Sequence, residues 1–167
     1  MTVPPGGTSE GDGVEQVTRR AGRAFVVNAE RQVLLLVGGD PAAPHLGTWW
    51  FTPGGGLEGD EDEAAAARRE LWEETGLAVG ELGPVVHRHR ASFDLFGQHF
   101  EQDDAFFVVR VERLEVDESR QTEFERRVVY GHRWWSEREL AVTSEAVYPE
   151  GLLSVLRRVG VFAEPAP

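Results

Sequence analysis

The chain contains no cysteine and no lysine. Without cysteine there are no structural disulfides, no thiolate nucleophile, no Cys-ligated zinc and no thiol redox chemistry. Without lysine no Schiff base can form, and a P-loop, which places a Lys after its glycines, is excluded. No run approaches the roughly 18–20 consecutive apolar residues that a membrane-spanning helix needs. Positive charge is outweighed: 17 arginines face 29 aspartates and glutamates, for a formal net charge of −12 and a pI near 4.8. Such a chain repels DNA, RNA and anionic lipid and is suited to gathering divalent cations, so neither nucleic acid nor membrane is an expected partner. What is present, 167 residues with 41% hydrophobic side chains, is enough for one buried core.

Residues 1–16 are rich in Gly, Pro, Ser, Thr and acid, which predicts a disordered leader. That leader has no positive start and no apolar stretch, so it does not read as a secretion signal, and a cytoplasmic location is expected. Residues 163–167 predict a flexible tail, which leaves one domain over 17–162. Gly22–Asn28 and Gln32–Val37 predict strands joined by a turn at Ala29–Arg31. Residues 38–47 read as a loop, and Thr48–Thr52 as a short strand stopped by Pro53 and three glycines. Residues 62–75 predict a helix closed by Gly76. Further strands are predicted over Val85–Leu95, Gln98–Glu112 and Arg126–Trp135, then a short helix capped by Ser136. A last helix over Tyr148–Val161 carries an apolar stripe of Leu152, Leu153, Val155, Leu156 and Val159. This pattern predicts a layered α/β domain.

The informative stretch is Gly54 to Leu77, GGGLEGDEDEAAAARRELWEETGL. Glu70, Glu73 and Glu74 lie three and four positions apart and share a helix face, at a cost of roughly 0.2–0.5 kcal/mol per like-charged pair. Glu74 also sits at the helix C-terminus, where the macrodipole disfavours negative charge. Penalties concentrated in five residues call for a compensating gain, and a hard divalent cation such as Mg²⁺ is the usual one for clustered carboxylates. Arg69, four residues before Glu73, could hold one of them in place. Ala64, Ala67 and Leu71 make the opposite side of the helix apolar, so it is expected to dock on a core. The glycines upstream would let backbone N–H groups approach an anion near the helix start.

Gly55, five residues, Glu61, seven residues, Arg69-Glu70-Leu71, one residue, Glu73-Glu74, one residue, Gly76-Leu77 reproduces every defined position of the Nudix hydrolase signature, and the chain resembles that family. The wider stretch from Arg23 through Trp135 also fits. The resemblance implies an α/β/α sandwich with a mixed sheet, and hydrolysis of a nucleoside diphosphate linked to another group with Mg²⁺ or Mn²⁺. By the resemblance, Glu70, Glu73 and Glu74 would ligate metal and Arg69 would orient a carboxylate. Glu61 would assist, Glu58 could reach the ion or be solvated, and Gly54, Gly55, Gly56 and Gly76 would shape the loops. The general base would be Glu70 or Glu73, or else a glutamate on a distal loop, Glu123 or Glu125, with Glu125 favoured. The substrate would be a small phosphoanhydride. The resemblance also allows a homodimer.

Other residues carry weaker signals. Arg23, Arg88 and Arg90 lie on predicted strands, where Arg23 and Arg90 could grip a substrate phosphate and salt bridges are the competing use. Trp49, Trp50, Trp134, Trp135, Phe93 and Phe96 could stack a base, although aromatics are more often core. Glu101, Asp103 and Asp104 could line the same cleft. The five histidines show no zinc-ligand spacing. Ser92-Phe93-Asp94 stands where ADP-ribose hydrolases often carry Pro, and no tyrosine falls where diadenosine polyphosphate hydrolases often have one. There is no coenzyme A signature either. The isomerase that shares the fold relies on a cysteine that this chain lacks. A catalytically silent binding domain is the rival from another class, and three retained glutamates argue against it.

Overall fold

The computed structural model describes residues 16–162. The leader and tail expected over 1–16 and 163–167 lie outside the described residues, except Gln16, which begins the first strand. That strand, β1 (Gln16–Val27), extends well before Gly22 because β6 (Gln98–Arg110) pairs with it in parallel along its length, from Gln16↔His99 to Val27↔Arg110. Residues 16–20 hold a single apolar side chain, Val17, and show no apolar alternation, so it is the partner strand that makes them extended.

The other strands are β2 (Val33–Gly39), β3 (Thr48–Phe51), β4 (Gly54–Gly56), β5 (His87–Leu95), β7 (Val129–Trp135) and β8 (Val147–Tyr148). They form one sheet in the order β5-β6-β1-β2-β3-β8, with β4 also on β1 and β7 also on β2. The sheet is mixed: β1 with β6 and β3 with β8 are parallel, and the remaining pairs are antiparallel. The helices are α1 (Glu63–Thr75), α2 (Glu123–Val128), α3 (Glu137–Val142) and α4 (Leu152–Arg158). Along β1, Ala24 and Val26 meet Leu71 of α1, and Phe25 and Val27 meet Leu152, Val155 and Leu156 of α4. One strand therefore presents two apolar faces to two helical layers, which is the expected α/β/α sandwich. No helix among the described residues is long and apolar enough to cross a membrane.

Three expected elements differ in extent. Arg126, Arg127 and Val128 end helix α2 instead of opening a strand, because Thr122 and Glu125 form a capping box that nucleates a helical turn. Tyr148 belongs to β8, and α4 begins only at Leu152, after Pro149 and Gly151 interrupt the chain. Gly38 and Gly39 continue β2 where a loop was expected, since both pair with β3. Between β5 and β6 the hairpin turn is Phe96-Gly97, both left-handed at φ 50° and 74°. Such turns favour Asn-Gly, and a side chain as bulky as Phe in this region costs roughly 1–2 kcal/mol.

α1 starts where the Asp62 carboxylate accepts the Ala65 N–H at 2.7 Å, and it ends at left-handed Gly76. It crosses β1 at Gly22, where a Cβ would stand 1.8 Å from the Glu63 carbonyl oxygen. A buried ion pair fixes the other side of β1. Arg23 and Asp104, both wholly buried, meet at 2.8 Å between Nε and Oδ1. The Tyr148 hydroxyl donates to Asp104 Oδ2 at 2.9 Å, and the Gln102 amide donates to Oδ1 at 2.7 Å. Arg23 also donates to the carbonyls of Thr52 and Gly54 at 3.2 and 3.3 Å, tying the segment between β3 and β4 to the sheet.

Two stability measurements follow from this packing. Gly22→Ala should separate α1 from β1 and destabilise the protein by about 3 kcal/mol, the upper end of usual overpacking costs, as a lowered denaturant midpoint. Asp104→Ala leaves the Arg23 guanidinium uncompensated and should cost about 3–5 kcal/mol in the same assay. A loss below 1 kcal/mol in either variant would contradict the packing described.

Candidate active site

Arg69, in the middle of α1, gathers the acidic groups around it. Its guanidinium meets Glu61 at 2.8 Å, Glu70 at 2.9 Å, Glu73 at 3.4 Å and Glu58 at 3.6 Å, and donates to the Gly56 carbonyl at 2.9 Å. Arg69 is held well above its ordinary pKa, chiefly by the hydrogen bond to Glu61. Glu61 is lowered by the same contact and also accepts the Glu58 N–H at 3.0 Å. One planar cation therefore fixes the rotamers of several carboxylates at once, which a point charge could not do.

Glu70 and Glu74 lie one turn apart on the side of α1 that faces the glycines of β4, and both are buried. The apolar side expected to be opposite to them is in fact adjacent: Ala66, Ala67 and Leu71 are buried with them. Gly55 permits this approach, since a Cβ there would stand 2.3 Å from Glu70 Oε1. From α2, Glu125 arrives at the same point. Its Oε2 accepts the Thr122 N–H at 2.6 Å within the capping box, which fixes the side chain. Glu70, Glu74 and Glu125 each offer an oxygen within 4.8 Å of the others.

Glu74 is wholly buried, and its two oxygens have different surroundings. Oε2 accepts the Gly54 N–H at 2.8 Å, whereas Oε1 has no hydrogen-bond partner among the described residues. Burial, followed by the charge of Glu70, pushes the Glu74 pKa well above the usual carboxylate range. Burial also raises Glu125, and burial then Glu70 raises Glu73. A buried anionic oxygen without a donor is costly unless a cation meets it. Three converging carboxylates are the donor set of a hard divalent cation, so these residues fit Mg²⁺ or Mn²⁺.

The carboxylates open into a cleft of about 630 Å³. Arg19, Arg69, Glu58, Glu70, Glu73 and Glu125 form its polar lining, and Leu95, Phe96, Phe100 and Phe124 its apolar wall. Arg19 stacks over the Phe100 ring at 4.6 Å and donates to Gln102 at 2.5 Å. Burial, with Arg23 nearby, lowers the Arg19 pKa to about 10, and the group stays cationic at neutral pH.

Several expected site residues lie elsewhere. Arg23 is wholly buried against Asp104 and does not reach the cleft, and Arg90 pairs with Glu101 at 3.5 Å over a neighbouring depression. Strand alternation sends Arg23 inward and Arg90 to the other face, so neither of the two arginines expected at a substrate phosphate lines this cleft. Glycines 54 and 55 are buried in β4 beneath the second half of α1, so they form no anion cradle at the helix start. The Gly54 N–H is occupied by Glu74. Only Gly56 of the three lines the cleft. Glu73 stands beside Arg69, outside the converging trio, and Glu125 takes that place. Glu123 is exposed on α2, and Glu101, Asp103 and Asp104 do not line this cleft. Of the six aromatic residues proposed for base stacking, only Phe96 lines it; Trp49, Trp135 and Phe93 are core. Arg19 and Phe124 escaped sequence reasoning. The Thr122-x-x-Glu125 pattern was the available signal for α2, and with it for Phe124.

The NUDIX domain model matches residues 17–155. Over 79 residues, 41% of the chain, the sequence is 37% identical to an RNA pyrophosphohydrolase of Roseobacter denitrificans. That match covers 49% of the relative, so the chain spans about half the length of the curated protein it matches. Among solved structures, a MutT protein from Methanosarcina mazei Go1 aligns with a TM-score of 0.59 at 19% identity, over 88% of this chain and 96% of that one. A mutator MutT protein from Bacillus halodurans aligns at 0.57 and 22% identity, over 85% of this chain and 82% of that one. A C. elegans Ap4A hydrolase aligns at 0.53 and 18% identity, over 84% and 93%. At these identities the likeness is one of fold.

The buried carboxylates give the metal-free protein a characteristic pH dependence. Folding raises the pKa of Glu74, Glu73 and Glu125, so above the usual carboxylate range the folded chain retains protons that the unfolded chain has released. Stability from these groups is complete below that range and is lost as pH rises through the raised values. In the presence of chelator, Tm should fall from pH 5 to pH 8, and Glu74→Gln should raise Tm at pH 8 and flatten the decline. Parallel curves for the two proteins would show that Glu74 is not the group responsible.

Proposed function

The chain belongs to the NUDIX family, and from that premise we propose that it hydrolyses a pyrophosphate bond in a nucleoside diphosphate linked to a further group. A nucleoside di- or triphosphate or a nucleotide sugar answers that description. The observation that carries the proposal is the wholly buried Oε1 of Glu74, unpartnered among the described residues, beside the oxygens of Glu70 and Glu125. A silent binding domain would gain nothing from keeping such a costly group.

In this reading Glu70, Glu74 and Glu125 hold Mg²⁺ or Mn²⁺. When bound, the ion draws charge from the phosphate oxygens and makes water more acidic. Arg69 keeps Glu70 and Glu73 in their rotamers, with Glu61 securing Arg69 from the other side. Glu73 lines the cleft outside the trio, and its raised pKa suits a group that accepts a proton from attacking water through a side-chain oxygen. The roles implied by the family signature are thus redistributed in this reading: Glu125 joins the ligands and Glu73 takes the proton. Arg19, cationic at the cleft wall beside Gly56, meets substrate phosphate. Glu58 remains a largely exposed residue at the rim.

The name of the curated relative raises RNA as an alternative substrate. The net charge of −12 opposes a polyanion more strongly than a mononucleotide, which favours the smaller substrate.

A panel of nucleoside di- and triphosphates, nucleotide sugars and a 5′-triphosphorylated RNA oligonucleotide, each with Mg²⁺ or Mn²⁺, tests this reading. Turnover of a small nucleotide that EDTA abolishes is expected; turnover unaffected by EDTA, or none on any member, would refute it. Glu73→Gln should lower kcat roughly 10²–10⁴-fold with little change in Mn²⁺ affinity. Glu125→Gln should weaken Mn²⁺ binding, read by electron paramagnetic resonance. The reverse pattern would exchange the two roles.

A further inference from the structure

Phe96 occupies a position that the backbone disfavours. It is the first of two left-handed residues in the β5–β6 hairpin turn, at φ 50°, where Asn is the favoured choice and a large side chain is strained. The strain is not offset by deep burial, since Phe96 is 37% exposed. Yet the turn is held firmly: the carboxylate of Asp40, itself buried, accepts the Phe96 N–H at 3.2 Å. Its ring meets that of Phe124 on α2, with centroids 5.3 Å apart and planes inclined at 57°. Phe124 is 46% exposed and immediately precedes Glu125.

The two rings are in contact at this separation, and each keeps an exposed surface on the cleft that holds the carboxylates and Arg19. A planar ring system attached to phosphates matches every part of that lining: an aromatic face for the rings, a guanidinium and the carboxylate-held cation for the phosphates. Neither neutral polar residue on the same wall is without a partner. The Thr122 hydroxyl accepts the Glu125 N–H, and Gln98 also has a partner. The wall therefore offers ring faces more readily than hydrogen bonds to a base edge.

We propose that Phe96 and Phe124 form a stacking clamp for the nucleobase of the substrate, selecting nucleotides over base-free pyrophosphates while discriminating little among the bases. This rests on the pyrophosphohydrolase reading for the placement of phosphates. Stacking is tolerant of base identity because every base has a π-face. The strained turn is the device that aims one ring into the cleft.

The test measures binding by calorimetry, with α,β-methylene-ADP and base-free methylenediphosphonate as probes in Mg²⁺. Phe124→Ala should weaken the nucleotide analogue roughly tenfold to a hundredfold and leave methylenediphosphonate unchanged, with Phe124→Trp retaining affinity. Phe96→Asn suits the turn better than the native residue, so Tm should hold or rise while affinity for the nucleotide analogue falls. A residue with a merely structural role would show the opposite, a lower Tm with unchanged affinity. Methylene analogues of the four common ribonucleoside diphosphates should bind the native protein within a few-fold of one another. Equal binding of base-bearing and base-free probes by the native protein, unchanged nucleotide affinity in both variants, or a preference above thirtyfold for one base would each overturn the clamp. Because these are equilibrium measurements, absent turnover would refute the hydrolase reading and leave the clamp to be judged on binding.

Discussion

A carboxylate oxygen shut away from water without a donor is the constraint to which the rest of this site answers. Glu74 Oε1 lies in that condition, with the oxygens of Glu70 and Glu125 nearby. Anions do not gather in a low-dielectric interior without something to hold them there. Much of the surrounding architecture is explained as the means of keeping them together. The Gly54 N–H meets the second oxygen of Glu74, Arg69 restrains Glu70 and Glu73, and the Thr122 capping box restrains Glu125.

The supports have supports of their own. Gly54, whose N–H faces Glu74, has its carbonyl held by Arg23, and Arg23 is held by Asp104. Asp104 receives Tyr148 from the far edge of the sheet. A chain of short contacts thus runs from the last strand to the carboxylate centre, with the Arg23 guanidinium at its middle junction. In a protein with no lysine, that junction uses the planar, multidentate cation, which binds several oxygens in fixed directions.

The fold and the acidic centre were legible in the sequence to different degrees. Helix α1 announced itself through its alanines and Gly76, and the spacing of Arg69, Glu70, Glu73 and Glu74 within it was readable because helical geometry is local. Arg69 was expected to hold one carboxylate; it contacts several, because Glu61 and Glu58 come to it through a loop whose path no periodicity encodes. Arg23 and Arg90 looked equivalent as strand arginines, and which face of a strand is buried depends on neighbours far away in sequence. Glu125 was visible as a candidate, but its place among the metal-facing oxygens depends on how α2 folds back, and α2 itself was hidden under a β-branched run. Phe96 was one aromatic among six until the turn geometry singled it out.

One consequence follows from the size of α2, a helix of only six residues that carries Glu125 some fifty positions beyond Glu74. Short elements of this kind detach from a native protein more readily than the sheet on which they rest. If α2 lifts away, the carboxylate group falls from three members to two while α1 and its glycine bed stay in place. Exchange of whatever cation rests there would then be paced by the fraying of a single helical turn, independent of global denaturation, and the same movement would carry Phe124 away from its partner ring.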